Sequence, residues 1–287
     1  MHPFLEAWAK WRPSESAPFV MGADRESLLA GERPSKCVIH SSWSAAIGDE
    51  RFGARDDKRL HLGLCPHPFC GDLSRADIFI LMLNPGLSAT DYFGEYEVEG
   101  FRHAVLRNLR QQVHDENHPF MFLNPKFSWH KGFGWWNDKL AAVIQTLAVE
   151  KSLADKRHWS FSEARQHLAR RLASIELFPY HSASFDSGRW IKGKNALPSV
   201  ELAMQFVKDL YERRVKNGKA IIIATRKVSA WQLPVKAKGV IRYTGGEARG
   251  AHLTPGSPGG IAILERLLSN LKTRTPMKSA KNLRTAP

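Results

Sequence analysis

A short apolar run that ends in a sharp turn is the feature that most constrains this chain. Six apolar residues, 78–83, follow the turn-like segment 71–74 and end at Asn84-Pro85-Gly86. A run this short with β-branched members is typical of a strand buried on both faces, which favours the centre of a parallel sheet. Pro85 has no amide proton to donate to a neighbouring strand and Gly86 tolerates positive φ, so the chain turns there.

Three later apolar segments predict the other strands of the same sheet. They span residues 173–180, 219–225 and 240–243, and they alternate with segments of helical periodicity. We therefore predict an α/β fold of three layers, α-β-α, in which the central layer is a mostly parallel four-stranded sheet. Ligands bind beyond the carboxyl ends of the strands in such sheets, which makes Asn84 a candidate site residue. A purely structural turn residue explains Asn84 equally well.

Composition divides the chain into three parts. Residues 1–70 are predicted to be an N-terminal arm and irregular extension that packs on the domain. Residues 71–271 contain the α/β pattern. Residues 272–287 are basic and contain no acidic side chain, which predicts a disordered tail.

The charge balance indicates a polyanionic partner. Forty-two Lys and Arg residues against 28 Asp and Glu give a net charge of +14, and DNA is the usual partner of such a chain, although a merely soluble basic protein is the alternative. No apolar run reaches the ~18 residues that span a membrane, so no membrane partner is expected. The first 30 residues lack the apolar core of a signal peptide, which predicts a cytoplasmic protein, taken here as a monomer.

The three cysteines do not predict a disulfide framework or a metal site. Their number is odd, and Cys65 and Cys70 are not at the C-x2-C spacing of zinc sites. Together with Cys37 and His67 they are interpreted as ordinary groups near a Pro-rich turn. We expect no metal and no cofactor.

The segment NPGLSA, residues 84–89, resembles the first active-site motif of the uracil-DNA glycosylase superfamily, in its mismatch-specific and single-strand-selective branches. Trp135-Trp136 before a predicted helix resembles the aromatic stretch that follows this motif. Residues 253–260 lie at the position in the chain where the second active-site motif of the superfamily is expected, although Thr254 stands where the superfamily has Asn or His. The resemblance implies a DNA glycosylase, which flips a base out of the helix and hydrolyses its N-glycosidic bond.

The resemblance also implies roles for single residues. Asn84 would position the attacking water and Asp91 would assist, although an Asp at a helix start is common for structural reasons. His252 would face the base or its leaving charge. The expected base-binding residues are Gly86, Tyr92, Phe93 and Glu176. The expected DNA-binding residues are Lys126, Lys131, Arg189, Lys192, Thr254 and Ser257.

Glu176 is the main departure from the superfamily pattern. Three residues before Pro179, it stands where the single-strand-selective branch has the Asn that reads the flipped base. A carboxylate only accepts hydrogen bonds, so it repels uracil O4 but accepts from the N4 amino group of cytosine. This favours a modified cytosine, such as those of phage DNA, and an antiviral role. There are two alternatives: Glu176 points away from the pocket, or its carboxyl group is protonated.

Two other functions remain open from the sequence. The first is a repair glycosylase for uracil or mismatched thymine. The second is a noncatalytic DNA-binding protein of the same fold.

Overall fold

The computed structural model describes residues 2–29, 36–185, 190, 196–244 and 252–269. The helices are α1 Pro3–Lys10, α2 Arg25–Leu29, α3 Trp43–Ile47, α4 Ala89–Glu97, α5 Glu99–Leu109, α6 Lys131–Asp155, α7 Phe161–Ala169, α8 Pro198–Leu210 and α9 Pro258–Leu268. The strands are β1 Cys37–Val38, β2 Leu60–His61, β3 Phe69–Cys70, β4 Ile78–Met82, β5 Leu172–Glu176, β6 Ile221–Ala224 and β7 Val240–Arg242. None of the helices within these ranges combines the length and apolarity that crossing a bilayer requires.

The main sheet has the strand order β3-β5-β4-β6-β7, and all its strands are parallel except β3. Strand β4 lies in the centre, with Ile80 opposite Ser174 of β5 and Ile223 of β6. All five residues of β4 are buried. The predicted α/β class with a mostly parallel sheet and a buried central strand is confirmed.

The sheet has five strands in the described part of the chain, where four were predicted. The additional strand, β3, pairs antiparallel with β5 and is only two residues long, too short to produce a periodic pattern. Asn108 of α5 holds its outer edge: Nδ2 donates to Phe69 O at 2.8 Å, and Oδ1 accepts from Gly71 N at 3.0 Å. Gly71 has φ +99°, and a Cβ there would approach Leu172 O to 2.5 Å, so only glycine fits.

The N-terminal segment docks on the end of β5. The Tyr180 hydroxyl donates to Asp24 Oδ2 at 2.6 Å and accepts from Met21 N at 3.1 Å. The other Asp24 oxygen accepts from Ser199 N at the start of α8, at 3.0 Å. Because burial, the largest cause, outweighs these hydrogen bonds, the pKa of Asp24 is raised. This buried network fixes the chain immediately before His181, where the candidate site begins.

An ion-pair cluster fixes the opposite end of β4. Asp77 accepts from Arg171 Nε at 2.8 Å through Oδ1, and from Arg266 Nε of α9 at 2.7 Å through Oδ2. A second Arg171 nitrogen, Nη2, also contacts Oδ2. Asp77 therefore connects the amino end of β4 with the residue that precedes β5 and with α9.

Candidate functional site

A cleft of about 470 Å³ opens at the carboxyl ends of β4 and β5, and we call it the β4–β5 cleft. Three segments contribute most of its wall: residues 82–88 at and after the end of β4, residues 181–185 after β5, and residues 130–132 at the start of α6. Its volume lies in the range of small-molecule pockets, about 300–1,000 Å³. Its position is the one at which open α/β sheets bind ligands.

Asn84 lies in this cleft with its amide orientation fixed. Its Nδ2 donates to Pro85 O at 2.7 Å and to Ser182 Oγ at 3.1 Å. Both amide protons are thus used on the protein, and none of the described residues donates to Oδ1. The side chain therefore presents an acceptor in the cleft, which suits it to orient a water molecule.

Asp91 lies in the wall of the cleft as an ionised carboxylate. Its Oδ2 accepts from Ser88 N at 2.6 Å and Ser88 Oγ at 2.8 Å, which caps α4. Its Oδ1 lies 3.2 Å from His130 Nε2. Burial, the largest cause, raises the pKa of Asp91, but the hydrogen bonds from His130 and Ser88 and the nearby imidazoles of His130 and His181 outweigh it and hold this pKa well below its usual range. His130 Nδ1 accepts from Gly132 N at 2.9 Å, so its proton lies on Nε2, toward Asp91.

Glu176 at the end of β5 also lines the cleft, and its Oε2 is buried with no hydrogen-bond partner among the described residues. Burial raises the pKa of Glu176 to about 8, only partly offset by the charge of Arg226. Glu176 is therefore mostly neutral at pH 7. Of the two alternatives that the sequence left open, the structure favours the protonated side chain over one that points away from the pocket.

Two imidazoles line the cleft, His67 and His181. Their ring centroids are 4.9 Å apart. His181 Nδ1–H donates to Gly86 O at 2.8 Å, and this places Gly86 in the cleft as a backbone acceptor. Burial, followed by the neighbouring His181, lowers the pKa of His67 to about 3, so the His67 ring is neutral. Buried Glu95 of α4 lies beside both rings, and burial raises its pKa.

Aromatic and cationic side chains complete the cleft. Phe122, Trp135 and Phe185 supply ring surface, and Lys131 and Arg226 supply positive charge. The first residue of α6, Lys131, is attached to the first turn of α4 through its backbone N, which donates to Thr90 Oγ1 at 3.0 Å. A cleft with aromatic rings and cations suits a nucleobase with its phosphates.

Two of the expected base-binding residues do not line the cleft. Tyr92 is fully buried and packs against His61 at 5.8 Å between ring centroids, so it has no face to offer a base. Phe93 is 38 % exposed, outside the cleft, with edge-to-face contacts to Trp43 at 5.7 Å and Trp129 at 5.6 Å. Asp91 turns inward to cap α4, and this directs the next two side chains away from the cleft.

The described residues of the expected second motif do not line the cleft. His252 is exposed, and its carbonyl accepts from the Tyr243 hydroxyl. Exposed Thr254 and half-buried Ser257 form the turn before α9, where Ser257 Oγ accepts from Gly260 N at 3.1 Å as a helix cap. Among the expected DNA-binding cations, Lys131 lines the cleft and exposed Lys126 lies outside it. Arg189 and Lys192 lie outside the described residues.

Several cleft residues were not singled out from the sequence. His67 was interpreted only as part of the cysteine segment, and His181 and Ser182 only as phosphate contacts. His130 and Arg226 had no assigned role. The usable signal for His181 and Ser182 is that they follow β5, at the same sheet edge as Asn84. Nothing in the spacing of His67 or His130 indicated that loops bring them there.

Comparison of the chain with protein-family models, with curated proteins and with solved structures finds no match.

Proposed function

We propose that the protein is a DNA glycosylase, a monomeric cytoplasmic enzyme that excises a base by hydrolysis of its N-glycosidic bond. The single observation that carries this proposal is the Asn84 amide. It follows the central strand, is locked by Pro85 and Ser182, and presents a free acceptor in a cleft with aromatic walls. The NPGLSA resemblance and the net charge of +14 support the same conclusion.

The chemistry requires opposite charges at the two ends of the breaking bond. The transition state is positive at the sugar, as in glycoside hydrolysis, and the departing base is negative. Asn84 orients the water that attacks the sugar, and the anionic Asp91 offsets the positive charge. Neutral Glu176 donates a hydrogen bond to the departing base. A carboxyl kept protonated by burial is suited to this role.

The substrate we favour is a cytosine with an added substituent, such as those of phage DNA, which gives an antiviral role. Neutral Glu176 complements cytosine: its O–H donates to N3 and its carbonyl accepts from N4–H. The cleft volume of about 470 Å³ leaves room for a substituent. Neutral Glu176 also complements uracil O4 and N3–H, so a uracil repair enzyme is the second candidate. The argument that a carboxylate excludes uracil applies only above a pH of about 8.

The proposal extends to the architecture. We infer that this chain has three layers, with helices on both faces of the central sheet. The packing of α6 against α7 and α9, and of α1 against α8, supports this arrangement.

The test is abasic-site formation on defined DNA panels. Purified protein is incubated with single- and double-stranded DNA that contains uracil, mismatched thymine or modified cytosines, and with phage genomic DNA. Abasic sites are then counted against a heat-inactivated blank. We expect abasic sites on the modified-cytosine panel. Tight binding without abasic sites on any panel contradicts the proposal and indicates a noncatalytic DNA-binding protein.

A further inference from the structure

Two buried side chains and one half-buried side chain, from separate parts of the chain, meet beside the β4–β5 cleft. They are His67 from the loop before β3, Glu95 from α4 and His181 from the segment after β5. One ligand atom from each lies within 4.8 Å of the others. The glycosidic chemistry proposed above gives this group no role.

Both imidazoles have a nitrogen without a partner. His181 Nδ1–H donates to Gly86 O, so in the neutral ring the lone pair is on Nε2. His181 is 2 % exposed, and its Nε2 has no hydrogen-bond partner among the described residues. The Nε2 atom of His67 is also buried without a partner in the same part of the chain. A buried polar atom without a partner is unfavourable, and two imidazole nitrogens of this kind close together are suited to share one ligand.

The carboxylate of Glu95 is held in place toward them. Both its oxygens accept from Cys65 N, at 3.1 and 3.0 Å, and the side chain is 3 % exposed. Backbone groups therefore hold two of the three side chains: Cys65 N donates to the Glu95 carboxylate, and Gly86 O accepts from His181 Nδ1. Hydrogen bonds of this kind orient the ligands of metal sites.

We propose that His67, Glu95 and His181 bind a divalent transition-metal ion, with Zn²⁺ as the best match. Two histidines and one glutamate form an established zinc ligand set that leaves one position open. Ligand atoms around a tetrahedral zinc ion are about 3.4 Å apart, so binding draws the present groups together by up to about 1.4 Å. His67 and His181 both line the cleft, and the open position therefore faces it.

The test measures metal binding without DNA, so it is independent of the proposed glycosylase activity. Metal-free protein is titrated with Zn²⁺ by calorimetry and with Co²⁺ by visible absorption, which detects tetrahedral coordination. We expect one ion per chain for the wild type. The substitutions His67→Ala and Glu95→Gln should weaken binding at least about 100-fold. The control His167→Ala removes a half-buried histidine whose Nε2 is also buried without a hydrogen-bond partner, and it should leave binding unchanged.

Two results would overturn the proposal. The first is the absence of stoichiometric Zn²⁺ and Co²⁺ binding by the wild type, which needs no variant and so does not depend on how a variant folds. The second is unchanged affinity in both His67→Ala and Glu95→Gln, which would place the ion elsewhere. Near-ultraviolet circular dichroism confirms that each variant keeps its tertiary packing.

Discussion

At the scale of the residue, Glu176 makes stability depend on pH. Its pKa is about 4.5 in the unfolded chain and about 8 in the fold, so the folded state binds more protons between these values. The free energy of unfolding therefore falls as pH rises from about 5 to 8. Glu176→Gln cannot ionise. We expect urea denaturation to show the variant gaining stability over wild type between pH 5 and pH 8.5. A difference that does not change with pH would contradict the raised pKa.

In the proposed function, the same ionisation determines which base is preferred. Neutral Glu176 pairs with uracil or cytosine, whereas ionised Glu176 accepts only from the N4 amino group of cytosine. We expect the ratio of cytosine-type to uracil excision to rise as pH increases through about 8, measured as initial rates on matched oligonucleotides. In Glu176→Gln the ratio should be constant with pH. A ratio that does not change in the wild type would remove Glu176 from base recognition.

Single residues were predictable where the strand pattern fixed their position. Asn84 and Glu176 follow or end strands, and both line the cleft. Tyr92 and Phe93 were not predictable, because a helix that begins with a capping Asp91 turns successive side chains by about 100°. His130 was not predictable because its place depends on how a long connection folds back.

At the scale of the element, an aromatic ladder lies beside the cleft on α3, α4 and the turn before α6. It consists of Trp43, Phe93 and Trp129 in edge-to-face contact, and Phe93 and Trp129 are 38 % and 37 % exposed. Phe93 is two residues from Asp91, and Trp129 immediately precedes His130, so the ladder adjoins the cleft. Exposed aromatic rings near cations suit stacking on the bases of single-stranded DNA.

Removing a ring of the ladder should weaken DNA binding. Stacking contributes about 1–3 kcal/mol per base, so Phe93→Ala or Trp129→Ala should each weaken single-strand affinity by about 5- to 150-fold in fluorescence anisotropy. Trp159→Ala is the control, because Trp159 contacts Lys151 and Arg157 and does not line the cleft. Wild-type affinity in both ladder variants would exclude this surface from DNA binding.

The ion-pair cluster at the amino end of β4 should affect stability without affecting the chemistry. Asp77→Asn leaves Arg171 and Arg266 without their carboxylate, which should lower the free energy of unfolding by about 2–3 kcal/mol. The exposed pair Glu6–Lys10 provides the control, since Glu6→Gln should change little. Urea denaturation measures both variants. Equal effects of the two substitutions would contradict a structural role for Asp77.

Long elements were more predictable than short ones. The central strand and the helices α5, α7 and α8 follow clear periodic patterns. Strand β3 has two residues and produces no pattern, so the fifth strand was missed. Helix α6 was expected from residue 137 but begins at Lys131, because Gly132 and Gly134 in its first turn resemble a loop in sequence.

At the scale of the whole molecule, the parallel sheet explains the location of the cleft. Strands β4 and β5 are adjacent and parallel, so the polar residues that follow them meet at one edge. This part of the site follows from the order of the strands. The contributions of His67 and of α6 depend on loops and on helix packing, for which sequence periodicity carries no information.

The central claim is that the β4–β5 cleft cleaves the N-glycosidic bond with Asn84 in position to orient water. The most direct test is mass spectrometry of the free base released from modified-cytosine DNA by the wild type, by Asn84→Ala and by the surface control Asn217→Ala. We predict release by the wild type and the control, and a loss of at least about 100-fold in Asn84→Ala with an unchanged melting temperature. Equal release by Asn84→Ala, or no released base from the wild type, would contradict the account.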